Sequence, residues 1–148
     1  MKYSSELYKL FNSSTNRSIK WKKYFPIYEK LFESYRNKQI TFVEIGILDG
    51  GSLEIWKKYF GKNSRIIGID NNPECIKFQN ENCEIFIGSQ SDPNFWKKFY
   101  HQVGNIDIIL DDGGHTNDQQ IISLINSVQN INNGGLHVVE DIHSSYQK

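Results

Sequence analysis

An α/β domain built on a doubly wound, parallel sheet is the fold this sequence predicts, and three observations predict it. Five short apolar runs alternate with amphipathic stretches at about 20–25 residues per unit, the spacing of strand–helix–strand crossovers. Each run stops abruptly in a glycine or a carboxylate. The chain has 148 residues, 38% of them hydrophobic and 14% aromatic, enough for one core and hardly enough for two.

Residues 1–38 read as a helical cap ahead of a sheet domain over 39–148. Leu7, Leu10 and Phe11 share a face, and a Ser/Thr/Asn loop covers 12–18. Trp21, Tyr24, Phe25, Tyr28, Leu31, Phe32 and Tyr35 then recur at steps of three and four, an aromatic helical stripe. Pro26 fits a first helical turn and divides this stretch. The stripe reads either as a lid packed on the core or as a cap facing a substrate. Ile40–Ile45 is a first strand, broken at Gly46. Ser52 is a plausible N-cap for a helix carrying Leu53, Ile55, Trp56, Tyr59 and Phe60, which Gly61 ends. Arg65–Asp70 is a second strand, and Asn71-Asn72-Pro73 opens a short helix over 74–79. Glu84–Ile87 is a third strand, followed by a helix from Asn94 to Gln102. Ile106–Leu110 is the fourth strand. Thr116 or Asn117 caps a helix whose stripe is Ile121, Leu124, Ile125 and Val128. Asn132-Asn133-Gly134-Gly135 reads as a turn, and Leu136–Val139 as the fifth strand. The three tryptophans, Trp21, Trp56 and Trp96, fit helix packing.

Lysines and arginines number 17 and acids 17, so the net charge is zero. No global attraction to a polyanion follows, and no nucleic-acid partner is expected. Residues 1–39 hold nine Lys/Arg against three Glu, which reads as a solvated helical face and leaves the remainder acidic. Cys75 and Cys83 lack metal-type spacing to histidines and read as reduced thiols. The polar N-terminus has no signal-like apolar core, and no apolar run reaches the roughly 20 residues of a membrane span. A soluble, cytoplasmic protein is expected.

Chemistry concentrates where the apolar runs end, at the carboxyl ends of parallel strands, where ligands bind in open α/β sheets. Glu44-Ile45-Gly46-Ile47-Leu48-Asp49-Gly50-Gly51-Ser52 forms the first strand–helix junction, and its glycines let a cofactor approach the backbone. The dinucleotide fingerprint fails there, because Leu48 stands in place of its second glycine. Glu44, two residues before Gly46, suits a ligand bearing an ammonium. Asp70 ends the second strand, where a carboxylate accepts both hydroxyls of a ribose. Ser89 and Gln90, after the third strand, either reach an adenine or belong to a loop that caps the next helix. Asp112 follows the fourth strand, and Glu140 and Asp141 the fifth. If those strands are neighbours, three hard oxygen ligands converge, suiting Mg²⁺, Mn²⁺ or Ca²⁺ better than zinc. His115, at a helix start three residues on, can then accept a proton from a hydroxyl acidified by that cation. His101 and His137 read as structural, and His143 as a neighbour of the site.

These residues are familiar together. VEIGILDGGSLEIWKKYFG, IIGIDNNPEC, IGSQSD, DIILDDGGH and GGLHVVEDIHSSY resemble the class I S-adenosylmethionine-dependent methyltransferases. Within them they are similar to metal-dependent sugar O-methyltransferases of the macrocin and mycinamicin type, in family order over nearly all of 40–146. The resemblance implies a Rossmann-like sheet and an enzyme that methylates a sugar hydroxyl of a glycan or glycosylated natural product. It implies that Glu44 and Gly46 border the methionine part of S-adenosyl-L-methionine, Asp70 holds the ribose, and Ser89 and Gln90 lie near the adenine. Asp112, Glu140 and Asp141 would hold Mg²⁺, and His115 would be the general base. The family sheet has seven strands and this sequence accounts for five, so the last strands are expected to be missing. That leaves an open sheet edge compatible with a homo-oligomer. Two rival readings remain: a truncated, non-catalytic nucleoside-binding module or partner subunit, and an NAD-dependent oxidoreductase, which Leu48 and the acid cluster disfavour.

Overall fold

The computed structural model describes residues 5–142. Five parallel strands form one sheet: β1 (Thr41–Ile45), β2 (Arg65–Asp70), β3 (Glu84–Ile87), β4 (Ile106–Asp111) and β5 (Ile131–Val139). Their order across the sheet is β3-β2-β1-β4-β5, so the chain winds outward from β1 to one edge, then crosses back to β4 and β5. The reversal falls between β1 and β4, where an open sheet forms its ligand crevice. The predicted adjacency of β4 and β5 is present, with Asp111 opposite Val139.

Helices cover both faces. On one side lie α1 (Glu6–Ser13), α2 (Phe25–Phe32) and α3 (Gly51–Phe60). Trp56 is fully buried there, with its indole edge-to-face against Phe11, Tyr28 and Phe32. The aromatic stripe of 21–35 is therefore largely core, packed on Phe42 and Phe60. The opposite side is covered by α4 (Pro93–Val103), whose Trp96 and Phe99 pack on Val43, Ile67 and Ile109, and by α5 (Asn117–Ser127). Burial of these rings dominates the core energy, at about 1.5–3 kcal/mol per large side chain.

Several sequence expectations are corrected. The loop expected over 12–18 begins only after Ser13, where α1 ends, and α2 is flanked by short 3₁₀ turns at Lys22–Tyr24 and Glu33–Tyr35. Trp21 does not pack but stands 67% exposed. The helix expected over 74–79 is a 3₁₀ segment, Pro73–Phe78. Gly50, not Ser52, caps α3, because its left-handed backbone (φ 70°) turns the chain directly into the helix. Asn132–Gly135 is part of β5 rather than a turn, accommodated by a register shift opposite Ile106–Ile108. The stripe Ile121, Leu124, Ile125 and Val128 faces outward, and Ser123 and Ser127 face inward instead. A Thr116–Gln119 capping box starts the helix, and Ser123 accepts a hydrogen bond from Gln90 Nε2 at 2.9 Å. These polar pins set the helical phase against the apolar periodicity.

Among the described residues, neither buried ring nitrogen of His137 on β5 has a hydrogen-bond partner, and burial lowers its pKa to about 4. A folded pKa below the unfolded one means stability is complete above the unfolded value and is lost as pH falls toward 4. Up to about 3 kcal/mol should disappear between pH 6.5 and pH 4. Urea titrations at the two pH values check this, and His137→Leu should lack that part of the loss.

Candidate functional site

The backbone ladder runs past the named strand ends and brings their tips level. Gly46 N donates to Ile69 O at 2.8 Å, Asp112 N to Ile45 O at 3.0 Å, and Glu140 N to Asp111 O at 2.9 Å. Glu44, Asp70, Asp112 and Glu140 are thus set along one end of the sheet by strand register. A cleft of about 480 Å³ opens over this end, lined by Glu44, Gly46, Asp70, Ser89, Gln90 and Asp112 among others.

The floor of the cleft depends on missing side chains. A Cβ on Gly46 would lie 2.2 Å from Asp112 O, and its φ of 82° is left-handed. Gly46→Ala is therefore expected to destabilise the fold by about 2 kcal/mol or more, measured by denaturant titration. Leu48, where the dinucleotide fingerprint wants glycine, adopts a left-handed backbone itself (φ 47°) with its side chain exposed. The turn is kept and the glycine is not, at a strain of about 1–2 kcal/mol.

Asp70 is fixed by two backbone donors: Oδ2 accepts from Ile47 N at 3.0 Å and Oδ1 from Asn72 N at 2.9 Å. It joins the glycine turn to the end of β2 and faces the cleft. Ser89 is exposed on the cleft rim, its Oγ accepting from Ser91 N. Gln90 is buried and fully engaged. Its Nε2 donates to both oxygens of Asp111 at 3.1 and 3.0 Å, and its Oε1 accepts from Gly114 N at 2.6 Å. Asp111, which sequence reasoning left without a role, is thereby the buried brace of the β4–α5 loop. Burial raises its pKa, against the Gly113 N–H and the Gln90 amide.

The carboxylates converge around an unforeseen cation. Lys20, from the segment between α1 and α2, buries its side chain to 2% exposure. Its Nζ lies 2.5 Å from Asp112 Oδ2, 3.0 Å from Glu140 Oε1 and 3.2 Å from Glu44 Oε1. Burial opposes the ammonium, but the three carboxylates outweigh it and hold the Lys20 pKa above its ordinary value. Glu44 also accepts from Ser52 Oγ at 2.5 Å, and burial pushes its pKa up. Glu140 is buried, accepts a hydrogen bond from Tyr28 OH, and has its pKa pushed up to about 7 by burial, with Lys20 opposing.

Asp141 holds a left-handed backbone (φ 52°), the kind of local strain that gathers at functional sites. Its Oδ1 accepts from Tyr24 OH at 2.6 Å, and His115 Nε2 lies 3.8 Å from its Oδ2. Asp112, His115 and Asp141 each place one potential ligand atom within 4.8 Å of the other two. Three acids around one ammonium, with Asp141 and an imidazole beside them, leave an excess of negative charge. Oxygen donors in excess fit a hard divalent cation. Sequence reasoning brought Asp112, Glu140, Asp141 and His115 together and missed Lys20, Tyr24 and Tyr28. The signal available was chemical: clustered buried carboxylates require a cation, and the basic residues are concentrated before residue 39. His143 lies outside the described residues.

A parallel sheet of this order is common to dinucleotide-binding domains and class I methyltransferases, and superposition on solved methyltransferases assigns it to the class I methyltransferase fold. The chain is similar to several curated sugar O-methyltransferases. It is 33% identical over 130 residues to an 8-demethyl-8-alpha-L-rhamnosyl tetracenomycin-C 2'-O-methyltransferase of Streptomyces olivaceus, covering 83% of this chain and 34% of that protein. It is 33% identical over 132 residues to the mycinamicin VI 2''-O-methyltransferase of Micromonospora griseorubida, covering 82% of this chain and 32% of that protein. The chain thus spans about a third of the length of these curated relatives. The solved MycE methyltransferase from mycinamycin biosynthesis, in complex with Mg and SAH, superposes with a TM-score of 0.87 at 28% identity, over 97% of this chain and 41% of that one. A putative caffeoyl-CoA O-methyltransferase from Staphylococcus aureus shares the fold at a TM-score of 0.64 and 13% identity, over 93% of this chain and 66% of that one. No family model matches the chain. Among the described residues no helix is long and apolar enough to cross a membrane.

Proposed function

We propose that this chain carries the cofactor and cation half-sites of a Mg²⁺-dependent O-methyltransferase that uses S-adenosyl-L-methionine on a sugar hydroxyl. The observation that carries this reading is the convergence of Glu44, Asp112, Glu140 and Asp141 with His115 beside the cleft under Gly46 and Asp70. The MycE complex with Mg and SAH, similar over nearly the whole chain, supports it.

Each residue has a part in this reading. Asp70, already oriented by two backbone amides, accepts the ribose hydroxyls. Gly46 lets the cofactor lie against the turn, and Glu44 faces its ammonium. Ser89, on the rim, lies toward the adenine, while Gln90 shapes that wall by holding Asp111 and Gly114 in place. Asp112 and Asp141, with Glu140 beneath them, hold the divalent ion. The cofactor supplies an electrophilic methyl group on its sulfonium, and the ion supplies positive charge at the acceptor hydroxyl. His115 takes the hydroxyl proton as the acceptor oxygen bonds to the methyl carbon; the carbon–sulfur bond breaks and its electron pair stays on sulfur. The protein's part is alignment and deprotonation. A small-molecule or glycan acceptor follows.

Differential scanning fluorimetry with S-adenosylhomocysteine and with NAD tests the choice of cofactor. Saturating S-adenosylhomocysteine, at about a hundredfold over its Kd, should stabilise the fold by about 2.7 kcal/mol and raise its Tm. A rise with NAD alone would assign the cleft to an oxidoreductase instead.

A further inference from the structure

Lys20 has no part in that reaction, yet it occupies the centre of the site. The segment that delivers it is fastened across the cleft. Asn16 Nδ2 donates to Glu54 at 3.3 Å, Lys20 reaches Glu44, Asp112 and Glu140, Tyr24 OH donates to Asp141 at 2.6 Å, and Tyr28 OH donates to Glu140. From Lys20 to Tyr28, these polar anchors fall on the acids placed around the cofactor and the cation. Glu140 Oε1 is shared between the ammonium and the Tyr28 hydroxyl.

We infer that Lys20 is a positioning residue that competes with the divalent cation for Asp112 and Glu140, so that cation binding loosens the segment around residues 17–24 from the site. The inference rests on the methyltransferase reading above and deepens it. A Mg²⁺ ion takes carboxylate oxygens at about 2.0–2.1 Å in a near-octahedral shell. An ion bound to Asp112 Oδ2 and Glu140 Oε1 would stand in the volume that Nζ fills, with a positive charge already there. Two cations cannot share those oxygens in a buried site, where their repulsion is weakly screened. With Lys20 in place, the accessible ligand set is the outer group of Asp112, His115 and Asp141. With Lys20 withdrawn, Glu140 joins Asp112 and Asp141, and His115 is released to act as a base.

The test measures Mn²⁺ binding to the whole chain by electron paramagnetic resonance, for wild type and Lys20→Met. Removing the competing ammonium should tighten Mn²⁺ by about tenfold or more, whereas the loss of a merely structural contact would weaken it. Equal or weaker binding by Lys20→Met overturns the inference while leaving the cation site standing. Failure of both chains to bind Mn²⁺ overturns it together with the cation site; S-adenosylhomocysteine binding then shows separately whether the cofactor reading survives. A measurement on the unaltered chain guards against misfolding of the variant. Amide hydrogen exchange around Trp21–Tyr24 should accelerate severalfold with saturating Mg²⁺, and unchanged or slower exchange contradicts the competition.

Discussion

Replacing His115 with alanine is expected to lower methyl transfer by about 10²- to 10⁴-fold, the usual worth of a positioned general base, while S-adenosylhomocysteine binds with unchanged affinity. The reasons are geometric. His115 sits at the lip of the site, three residues past Asp112 and 3.8 Å from Asp141, while Asp70 is held by the Ile47 and Asn72 amides. The β4–α5 loop is held by Asp111, Gln90 and the Thr116 capping box, so truncating the imidazole leaves the loop standing. Turnover by the variant is compared with cofactor and Mn²⁺ affinities measured on the same sample. Loss of turnover with both affinities intact is the signature of a base. Loss of Mn²⁺ together with turnover would make His115 a ligand of the cation, and loss of cofactor affinity would contradict the division of the cleft.

Asp70→Ala is expected to act at the opposite end, weakening S-adenosylhomocysteine by about 10²-fold or more. A carboxylate accepting two ribose hydroxyls makes two charge-assisted hydrogen bonds, each worth about 1.5–3 kcal/mol. The variant also orphans the Ile47 and Asn72 amides, which the carboxylate now satisfies at 3.0 and 2.9 Å, so the glycine turn should loosen as well. Asp70→Asn separates the two effects. Its side-chain carbonyl can still take one amide, but its NH₂ cannot accept from a ribose. Calorimetry of wild type and both variants decides the matter, and full affinity in Asp70→Asn would remove Asp70 from the cofactor site. Mn²⁺ binding should survive in each, because Asp70 is absent from the metal-type cluster.

What the sequence disclosed follows from where periodicity speaks. The five strands are legible because parallel strands buried on both faces read as unbroken apolar runs, and the acids at their tips follow from the same boundaries. Strand pairing then placed Asp112 next to Glu140, as the Asp111–Val139 register shows. Features set by polar pins are not legible this way. The phase of α5 is fixed by Thr116, Gln119 and Ser123, so its apolar stripe points outward. Asn132–Gly135 has the composition of a turn but lies within β5, as its irregular stretch between the pairs Ile106–Ile131 and Ile108–Leu136. Lys20 is one of nine basic residues before position 40 and lies outside any helix or strand, so only the buried acids it meets mark it out. Leu48 shows the converse: the backbone turn survives where its usual glycine does not.

The most direct test is one calorimetric titration: S-adenosylhomocysteine into the folded chain, without and then with Mg²⁺. One-site binding is expected in both cases, because Gly46, Asp70 and the strand tips are held by the sheet whether or not the cation loosens the segment around 17–24. A folded sample that binds no S-adenosylhomocysteine under either condition would contradict it.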